Sequence, residues 1–239
     1  MPRFFTQDIT EAGGCITGED AKHISKVLRM KVGDELTVCD TKGRDYDCMI
    51  EEIGAGEVRL KVLSVAPSQS EPDVRVHLYQ AMPKADKMET IIQKAVELGV
   101  TAVVPVATRR SVARLEGKAD KKQERWQRIA AEAAGQCGRG MLPSVERPLS
   151  WSQALSRLSG EPALVFYEGG GRPLRELVTP STRRLSVFVG PEGGFDPEEI
   201  DAIRRQGGGV ATLGPRILRC ETAPLAALTL LMHLSGNME

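Results

Sequence analysis

The sequence predicts a small N-terminal β-barrel or sheet followed by an α/β domain with a mostly parallel sheet. Residues 35–65 have the pattern of short strands separated by turns, and Ala66–Pro72 combines prolines with polar residues, which is typical of a linker. Beyond the linker, short apolar runs alternate with helical patterns, as in sheets whose parallel strands are connected by helices. A chain of 239 residues also exceeds the about 100 to 150 residues of a typical domain, which favours two domains.

The N-terminal domain is predicted to contain one short helix and three strands. The helix spans Glu19–Leu28, because its apolar residues recur on one helical face, at Ala21, Ile24, Val27 and Leu28. The strands are Glu35–Cys39, Tyr46–Ile53 and Val58–Val62. The last strand alternates apolar and charged residues, a pattern typical of a half-buried antiparallel strand.

The α/β domain is predicted to contain five strands with helices between them. The strands are Val74–Tyr79, Val103–Val106, Ala163–Tyr167, Leu185–Val189 and Val210–Leu213. The first helix is expected to begin at Asp86, which has the spacing of a capping box with Glu89, and to stop at Gly99.

Two further helices follow from apolar spacing. One runs from Asp120 to Ala134 and is expected to end at Gly135. The other, near the C-terminus, has helical spacing at Leu225, Leu228, Leu231 and Met232. Spacing alone does not tell whether this apolar face belongs to the core or to a dimer interface.

The composition excludes several classes of protein. A hydrophobic fraction of 41% with 27% charged residues is ordinary for a folded globular chain. Five scattered cysteines without a Cys-x-x-Cys pair, with only three histidines, give little basis for a metal site or a disulfide framework. The sequence has no signal-like apolar run near Met1 and no stretch of about 18 apolar residues that would span a membrane. We therefore expect a cytoplasmic protein without a metal.

Charge is distributed unevenly along the chain although the net charge is zero. Residues 1–72 carry 9 basic and 13 acidic side chains, residues 73–148 carry 14 and 9, and residues 149–239 carry 9 and 10. A positively charged middle segment indicates a polyanionic partner such as RNA. A solvated basic helix face would give the same counts.

Three glycine-containing segments follow predicted strands, at Tyr167–Gly171, Gly190–Gly194 and Gly214–Arg219. In open α/β sheets, ligands bind at the carboxyl ends of the strands. Glycine lets backbone amides approach a ligand closely, so these segments can hold an adenine or a ribose through main-chain hydrogen bonds. A simple turn would explain each segment alone, but their shared position favours a pocket.

The second glycine segment leads into a helix with an acidic cap. Asp196 suits the N-cap, Pro197 the first helical position and Glu199 a capping box. Because these acids occupy the positive end of the helix, a phosphate is not expected there, which disfavours a nucleoside triphosphate site. The segment also lacks the Gly-x-Gly-x-x-Gly pattern, which disfavours a dehydrogenase.

Several motifs in the chain resemble those of one known family. The two longest are Phe188–Phe195 and Leu213–Ala223, and shorter ones are Arg3–Phe5, His23–Arg29, Lys94–Gly99 and Glu132–Arg139. They are similar to motifs of the bacterial 16S ribosomal RNA uridine-N3 methyltransferase family, in the SPOUT class. The resemblance extends over nearly the whole chain.

The resemblance implies a PUA-like β-barrel RNA-binding domain over residues 1–70 and a SPOUT α/β trefoil-knot methyltransferase domain over residues 73–239. It also implies a homodimer formed through the knotted domain. The implied cofactor is S-adenosyl-L-methionine, and the implied partner is 16S rRNA in the small ribosomal subunit. The implied reaction is methylation of N3 of a specific uridine, within the assembled subunit.

The resemblance assigns most of the glycine segments to the cofactor. The cofactor-binding residues are then expected to be Tyr167, Glu168, Gly169, Gly190, Pro191, Glu192, Gly193, Leu213, Gly214, Ile217, Leu218, Arg219 and Thr222.

Methyl transfer from a sulfonium requires an aligned acceptor that loses its N3 proton. Arg219 is the candidate group that stabilises an anionic uracil, and Glu221 is a candidate base or orienting group. Their spacing in an extended loop would direct both side chains to one side. Alternatively, Glu221 and Thr222 cap the last helix, and Arg216 forms a surface ion pair.

Eight basic residues are expected to contact RNA phosphates or bases: Arg3, His23, Arg29, Lys84, Lys87, Arg109, Arg110 and Arg139. The best placed of them are Arg109 and Arg110, between a strand and a loop. For His23, packing against its neighbours or exposure on the helix surface is the alternative.

Two other functions are weighed against this one. A ribose 2′-O-methyltransferase would share the fold, but the single asparagine of the chain is Asn237, near its end. Ribose-methylating relatives place asparagines in their substrate and cofactor loops. A ribosome-assembly factor that binds RNA without catalysis would not need intact glycine segments, and binding of S-adenosylmethionine would distinguish it.

Overall fold

The computed structural model describes residues 1–111, 119–158 and 160–238. The described residues divide into two compact units. The first comprises Met1–Glu71 with Ala134–Leu142, and the second comprises Pro72–Ala133 with Pro143–Glu239. Residues 134–142 thus pack in the first unit, although they lie well beyond the predicted linker.

The first unit is built on a six-stranded sheet with the order β1-β4-β5-β6-β3-β2. Its strands are β1 Arg3–Phe5, β2 Ile9–Thr10, β3 Gly13–Thr17, β4 Glu35–Cys39, β5 Arg44–Ile53 and β6 Glu57–Pro67. β1 pairs with β4 in parallel, and the other neighbouring strands are antiparallel. Alternate apolar side chains of the long strands, including Leu36, Ile50 and Leu60, are buried in the core of this unit.

The predicted strands of this unit are present, with longer bounds for two of them. β4 has the predicted limits, whereas β6 continues to Pro67, which pairs with Arg44. The predicted linker therefore begins within the strand. β1, β2 and β3 were not predicted, because strands of two to five residues are too short to show a clear period of two.

The predicted helix Glu19–Leu28 is only partly α-helical. α1 spans Gly18–Lys22, and a π-helical turn continues over His23–Val27. Ile24 is buried, whereas Val27 and Leu28 are 66% and 41% exposed. The prediction that they share the buried face was wrong, because the wider π turn rotates less per residue than an α-helix and changes which residues align.

The second unit is built on a parallel sheet with the strand order β10-β8-β7-β13-β11-β14-β12, and β9 pairs with β8. The strands are β7 Arg75–Ala81, β8 Ala102–Ala107, β9 Ser144–Val145, β10 Leu149–Ser150, β11 Ala163–Phe166, β12 Arg172–Pro173, β13 Arg184–Val189 and β14 Gly209–Thr212. Every pairing among these strands is parallel. The five predicted strands correspond to β7, β8, β11, β13 and β14.

Five α-helices lie between or after these strands in the part of the chain that the structure describes. They are α2 Lys87–Glu97, α3 Ala119–Cys137, α4 Trp151–Ser156, α5 Pro197–Arg205 and α6 Ala223–Leu234, and a 3-10 turn spans Leu174–Glu176. α3 continues past Gly135, its predicted end, because one glycine lowers helix stability by only about 1 kcal/mol. Among the described helices, none is both long and apolar enough to cross a membrane.

The two predicted capping boxes have different outcomes. At α5 the box is confirmed, since Asp196 caps the first turn and its own amide donates to Glu199 at 2.9 Å. At α2 the prediction was wrong, because the Asp86 side chain makes no cap bond and Glu89 pairs with Arg125 at 2.8 Å. A guanidinium offers Glu89 a stronger, charge-assisted hydrogen bond than a backbone amide does.

The strand order positions a possible ligand site at one edge of the parallel sheet. β11 lies between β13 and β14, although both of these strands follow it in the chain. The order of the strands therefore reverses around β11. Because the three strands are parallel, their carboxyl ends lie at the same edge, which is where open α/β sheets bind ligands.

Candidate active site

A cavity of about 970 Å³ lies at the carboxyl ends of β11, β13 and β14. It is lined by the segments Phe166–Gly170, Val189–Gly194 and Thr212–Cys220, together with Lys87 and Ala223. Each segment contains glycine, so much of the wall is backbone. A concave site of this size is suited to a small molecule or cofactor.

The turn Gly190–Gly194 is shaped by close packing around Gly194. Gly194 has a φ of +66°, and its amide donates to the Pro191 carbonyl at 2.9 Å. A Cβ atom at Gly194 would lie 2.0 Å from Glu168 Oε1. The positive φ and this contact both favour glycine. The turn can therefore fold tightly against the segment that follows β11.

Two arginines hold the outer side of this turn. Arg110 donates to the Gly193 carbonyl at 3.0 Å, and Arg109 pairs with Asp196 at 3.3 Å. The backbone amide of Arg109 donates to Glu199 at 2.9 Å. Glu199 is 2% exposed, so these hydrogen bonds satisfy a buried carboxylate. The arginine pair thus connects the end of β8 to the start of α5.

Lys87 joins two carboxylates at the cavity wall. Its Nζ lies 3.0 Å from Glu192 Oε1 and 3.1 Å from Glu221 Oε2. Burial opposes ionisation of Glu192, but hydrogen bonds from its own amide, from Lys87 and from the Lys84 amide lower its pKa to about 2. The amide of Glu221, the Cys220 thiol and Lys87 lower the pKa of Glu221. Both carboxylates are therefore ionised at neutral pH.

Cys220 completes this charged cluster. Its Sγ lies 3.2 Å from Glu221 Oε2. Burial first, and then hydrogen bonds to Glu221 and Glu192, raise the pKa of the Cys220 thiol to about 12. The thiol is therefore protonated at neutral pH, so it serves as a hydrogen-bond donor to the carboxylate and not as a nucleophile.

Arg219 and Glu221 have different surroundings. Arg219 lines the cavity, and within the described part of the chain no group hydrogen-bonds to or pairs with its guanidinium. Glu221 is outside the wall and is held by Lys87. The predicted extended loop was wrong, because the amides of Thr222 and Ala223 both donate to the Arg219 carbonyl at 2.9 Å. These bonds turn the backbone between the two side chains.

Comparison with known proteins adds the family. Residues 70–232 match the RNA methyltransferase domain family, and residues 16–63 match the RNA methyltransferase PUA domain family. The ribosomal RNA small subunit methyltransferase E of Bacillus subtilis (strain 168) is 37% identical, over 98% of this chain and 96% of that protein. The chain belongs to the ribosomal RNA small subunit methyltransferase E family.

Two further members of the methyltransferase E family support this assignment. The protein of Mycobacterium bovis is 32% identical, over 94% of this chain and 88% of that protein. A crystal structure of the Neisseria gonorrhoeae member bound to S-adenosyl methionine has a TM-score of 0.89 and 31% identity, over 98% of each chain. The predicted fold class is confirmed, as a PUA-like β-domain followed by a SPOUT α/β domain with a mostly parallel sheet.

The residues expected to bind the cofactor of a methyltransferase E protein come together in the structure. All of them except Thr222 line the cavity: Tyr167, Glu168, Gly169, Gly190, Pro191, Glu192, Gly193, Leu213, Gly214, Ile217, Leu218 and Arg219. Thr222 precedes α6, and its side chain makes no cap hydrogen bond. Thr222 thus occupies the N-cap position without a side-chain cap bond, and the Glu221 carboxylate contacts Lys87 and Cys220.

Lys87 and Cys220 are wall residues whose place in the cavity the sequence did not indicate. Lys87 lies in a different part of the chain from the glycine segments, and no spacing rule links it to them. One signal was available, because a lysine at the first position of a helix opposes the helix dipole and needs a negative partner. Cys220 had no distinguishing signal besides its position within the long motif.

The eight basic residues expected to contact RNA fall into three groups. Arg3 and Arg139 pair with Asp45 and Glu71 inside the first unit, each at 2.8 Å. Arg139 is only 5% exposed, which disfavours its predicted contact with RNA. Lys87, Arg109 and Arg110 bind groups around the cavity. The third group is His23, Arg29 and Lys84, which are exposed, as Arg109 and Arg110 also are.

Proposed function

We propose that this chain transfers the methyl group of S-adenosylmethionine to N3 of a specific uridine in 16S rRNA, within the assembled small ribosomal subunit. The observation that carries the proposal is the glycine-lined cavity at the carboxyl ends of β11, β13 and β14, with Arg219 in its wall and no side-chain partner for Arg219 among the described residues. Membership of the methyltransferase E family supports it independently.

The cavity fits S-adenosylmethionine in size and in chemistry. Its volume of about 970 Å³ is ample for an adenosine with a short side chain. Gly190, Gly193 and Gly214 bring the backbone to the cavity wall without side chains, so that adenine and ribose can approach it closely, and Glu168 adds a carboxylate. The acids that cap α5 lie next to this wall, which is compatible with a ligand that carries no phosphate.

S-adenosylmethionine, when bound, supplies a methyl group on a positively charged sulfur. The residues proposed to hold it are the twelve predicted residues that line the cavity. The chain must also favour loss of the N3 proton, since the uracil anion is the better nucleophile. Arg219 is proposed to stabilise this anion, because it lines the cavity and its guanidinium has no competing partner within the described residues.

Glu221 is proposed to orient its loop and not to accept the proton. Its lowered pKa makes the carboxylate a weak base at neutral pH. Its oxygens already accept hydrogen bonds from Lys87 and Cys220. Water is then the proposed proton acceptor, because Arg219 stabilises the uracil anion and so makes N3 a stronger acid.

The remaining parts of the chain are assigned by the same proposal. Residues 1–70 form a PUA-like RNA-binding domain, and residues 73–239 form a trefoil-knotted SPOUT domain through which two copies dimerise. The exposed His23, Arg29 and Lys84 are the proposed RNA contacts. Since the proposed substrate is the bacterial ribosome, the place of action is the cytoplasm.

Methyl-labelled S-adenosylmethionine tests the proposal. The protein is incubated with free 16S rRNA or with assembled small subunits, and the modified nucleotide is mapped. We expect label on N3 of one uridine, with assembled subunits as the better substrate. Label on a ribose would support a 2′-O-methyltransferase instead, and absence of transfer to any uridine would contradict the proposal.

A further inference from the structure

We propose that Lys87 is a positioning residue that clamps together the two loops forming opposite parts of the cavity wall. The inference rests on the proposed function, since it concerns how the same cavity is kept ready for S-adenosylmethionine. Lys87 was expected to contact RNA phosphates or bases. Its neighbours in the structure assign it a different role.

The two carboxylates that Lys87 contacts come from different loops. Glu192 belongs to the turn after β13, and Glu221 belongs to the loop between β14 and α6. The Lys87 ammonium lies 3.0 Å from the first and 3.1 Å from the second. The side chain of Lys87 on α2 therefore bridges two loops. Strand pairing in the sheet does not hold these loops together, because it ends where β13 and β14 end.

The backbone around Lys87 strengthens the contact with Glu192. The Lys84 amide lies 3.2 Å from Glu192 Oε1 and 3.3 Å from Oε2. Lys87 is the first residue of α2, where a cation opposes the helix dipole. Two carboxylates at this point offset the unfavourable placement, so the three charges depend on one another.

The charges are partly shielded from solvent. Side-chain exposure is 31% for Lys87, 27% for Glu192 and 28% for Glu221. The adjacent thiol of Cys220 donates to Glu221 and lies 3.7 Å from the Lys87 ammonium. Charge-assisted hydrogen bonds in such a setting are stronger than exposed surface pairs.

Loss of the Lys87 ammonium would leave the carboxylates of Glu192 and Glu221 without the cation that lies between them. Their repulsion would separate the turn that carries Glu192 from the loop that carries Arg219, and both segments line the cavity. We therefore expect weaker binding of S-adenosylmethionine and a misplaced Arg219. Lys87 acts through these neighbours and is not a catalytic residue.

The test compares Lys87→Met with Lys87→Arg and with Lys94→Met. Lys94 lies on the same helix, where it pairs with Glu97 at its own surface, so it controls for loss of a lysine from α2. The dissociation constant for S-adenosylmethionine is measured by isothermal titration calorimetry. We expect Lys87→Met to raise it about tenfold, equivalent to about 1.4 kcal/mol, while Lys87→Arg and Lys94→Met stay near the wild-type value.

Two readouts separate clamping from a general loss of structure. In Lys87→Met, affinity should recover as the pH is lowered, because protonation removes the repulsion between the carboxylates. Adding Glu221→Gln to Lys87→Met should also recover affinity at neutral pH. A purely structural defect would respond to neither change.

The outcomes distinguish this inference from the proposed function. If the wild-type protein does not bind S-adenosylmethionine, the proposed function fails. If the wild type binds but Lys87→Met binds equally well, or if neither low pH nor Glu221→Gln restores its affinity, the clamp is overturned. Should Lys87→Met not fold by thermal melting, the double variant Lys87→Met/Glu221→Gln carries the test, and an affinity in it far below that of the wild type overturns the clamp.

Discussion

Arg219 and Glu221 are two positions apart in the sequence but have different surroundings in the structure. The turn at the Arg219 carbonyl leaves the guanidinium at the cavity and places the Glu221 carboxylate beside Lys87. In the sequence the two residues look like an acid–base pair. In the structure Arg219 lines the cavity, whereas Glu221 lies outside its lining and pairs with Lys87. The motif predicted the residues, and the local backbone decided their surroundings.

At the residue scale, Arg219→Ala is expected to lower the rate of methyl transfer about 10²- to 10³-fold, because it removes a preorganised charge from the developing uracil anion. Affinity for S-adenosylmethionine should fall much less. Single-turnover kinetics with assembled subunits, together with calorimetry, measures the two quantities. Arg204→Ala is the control, since Arg204 pairs with Asp201 on the surface of α5. Equal rates for Arg219→Ala and wild type would remove Arg219 from the mechanism.

The ionisation of Glu192 gives a second expectation at this scale. Its pKa falls from 4.5 to about 2 in the folded chain. A depressed folded pKa contributes stability that is fully present above the unfolded pKa and is lost as the pH falls towards the folded pKa. The difference in unfolding free energy between wild type and Glu192→Gln should therefore be largest near neutral pH and shrink below about pH 4.5.

Urea unfolding at a series of pH values checks this dependence. Glu124→Gln, at an exposed position of α3, provides the control for a carboxylate removed from a surface. A difference between wild type and Glu192→Gln that did not change between about pH 6 and pH 3 would show that the native contacts do not favour the Glu192 carboxylate.

At the element scale, the turn Gly190–Gly194 and the turn after α5 allow a matched comparison of two glycines. Gly194 and Gly207 have φ values of +66° and +82°. An alanine at either position is expected to lower the free energy of unfolding by about 1 to 2 kcal/mol, because its Cβ is strained at positive φ. Gly207 has no neighbouring atom within 4 Å of such a Cβ, whereas Gly194 adjoins Glu168.

Only Gly194→Ala is therefore expected to weaken binding of S-adenosylmethionine. Urea unfolding measures the stability of both variants, and calorimetry measures their affinity. If Gly207→Ala weakened binding to the same extent, the effect would reflect general destabilisation. If Gly194→Ala bound as tightly as the wild type, this turn would not form part of the cofactor site.

Other elements show where sequence periodicity is sufficient to predict the bounds and the buried face of a strand or helix, and where it is not. β4, β7 and β13 lie close to their predicted bounds, because buried apolar runs between polar turns identify strands well. The helix near His23 did not keep its predicted face, since a π turn changes the angular spacing. Likewise, Glu89 fits a capping box by spacing but pairs with Arg125 from α3.

At the scale of the whole molecule, the proposed dimer has a direct test. α6 is an apolar helix on which Leu230 is 41% exposed, and burial of this side chain in the dimer is part of the proposal. Sedimentation equilibrium should give about twice the protomer mass of 26.0 kDa over a range of concentrations. A single-protomer mass at micromolar concentration would contradict the dimer.

The sequence alone determined the order of the longer strands and helices, the two-part organisation of the chain and the three glycine segments that follow strands. These features depend on local periodicity and on backbone preferences, which neighbouring residues encode. The family motifs added the ligand and the reaction as expectations. The confirmed capping box at Asp196 and Glu199 is likewise encoded by residues that are neighbours in the sequence.

Only the tertiary structure decided which segments share the cavity and how their charges are compensated. β11 lies between β13 and β14 through pairing of distant strands. Lys87, at the start of α2, meets Glu192 and Glu221 because two loops converge there, and Arg139 pairs with Glu71 inside the first unit. Burial and partners from distant parts of the chain decide how well an ionised side chain is stabilised. A sequence pattern therefore predicts that a residue is charged but not which groups its charge contacts.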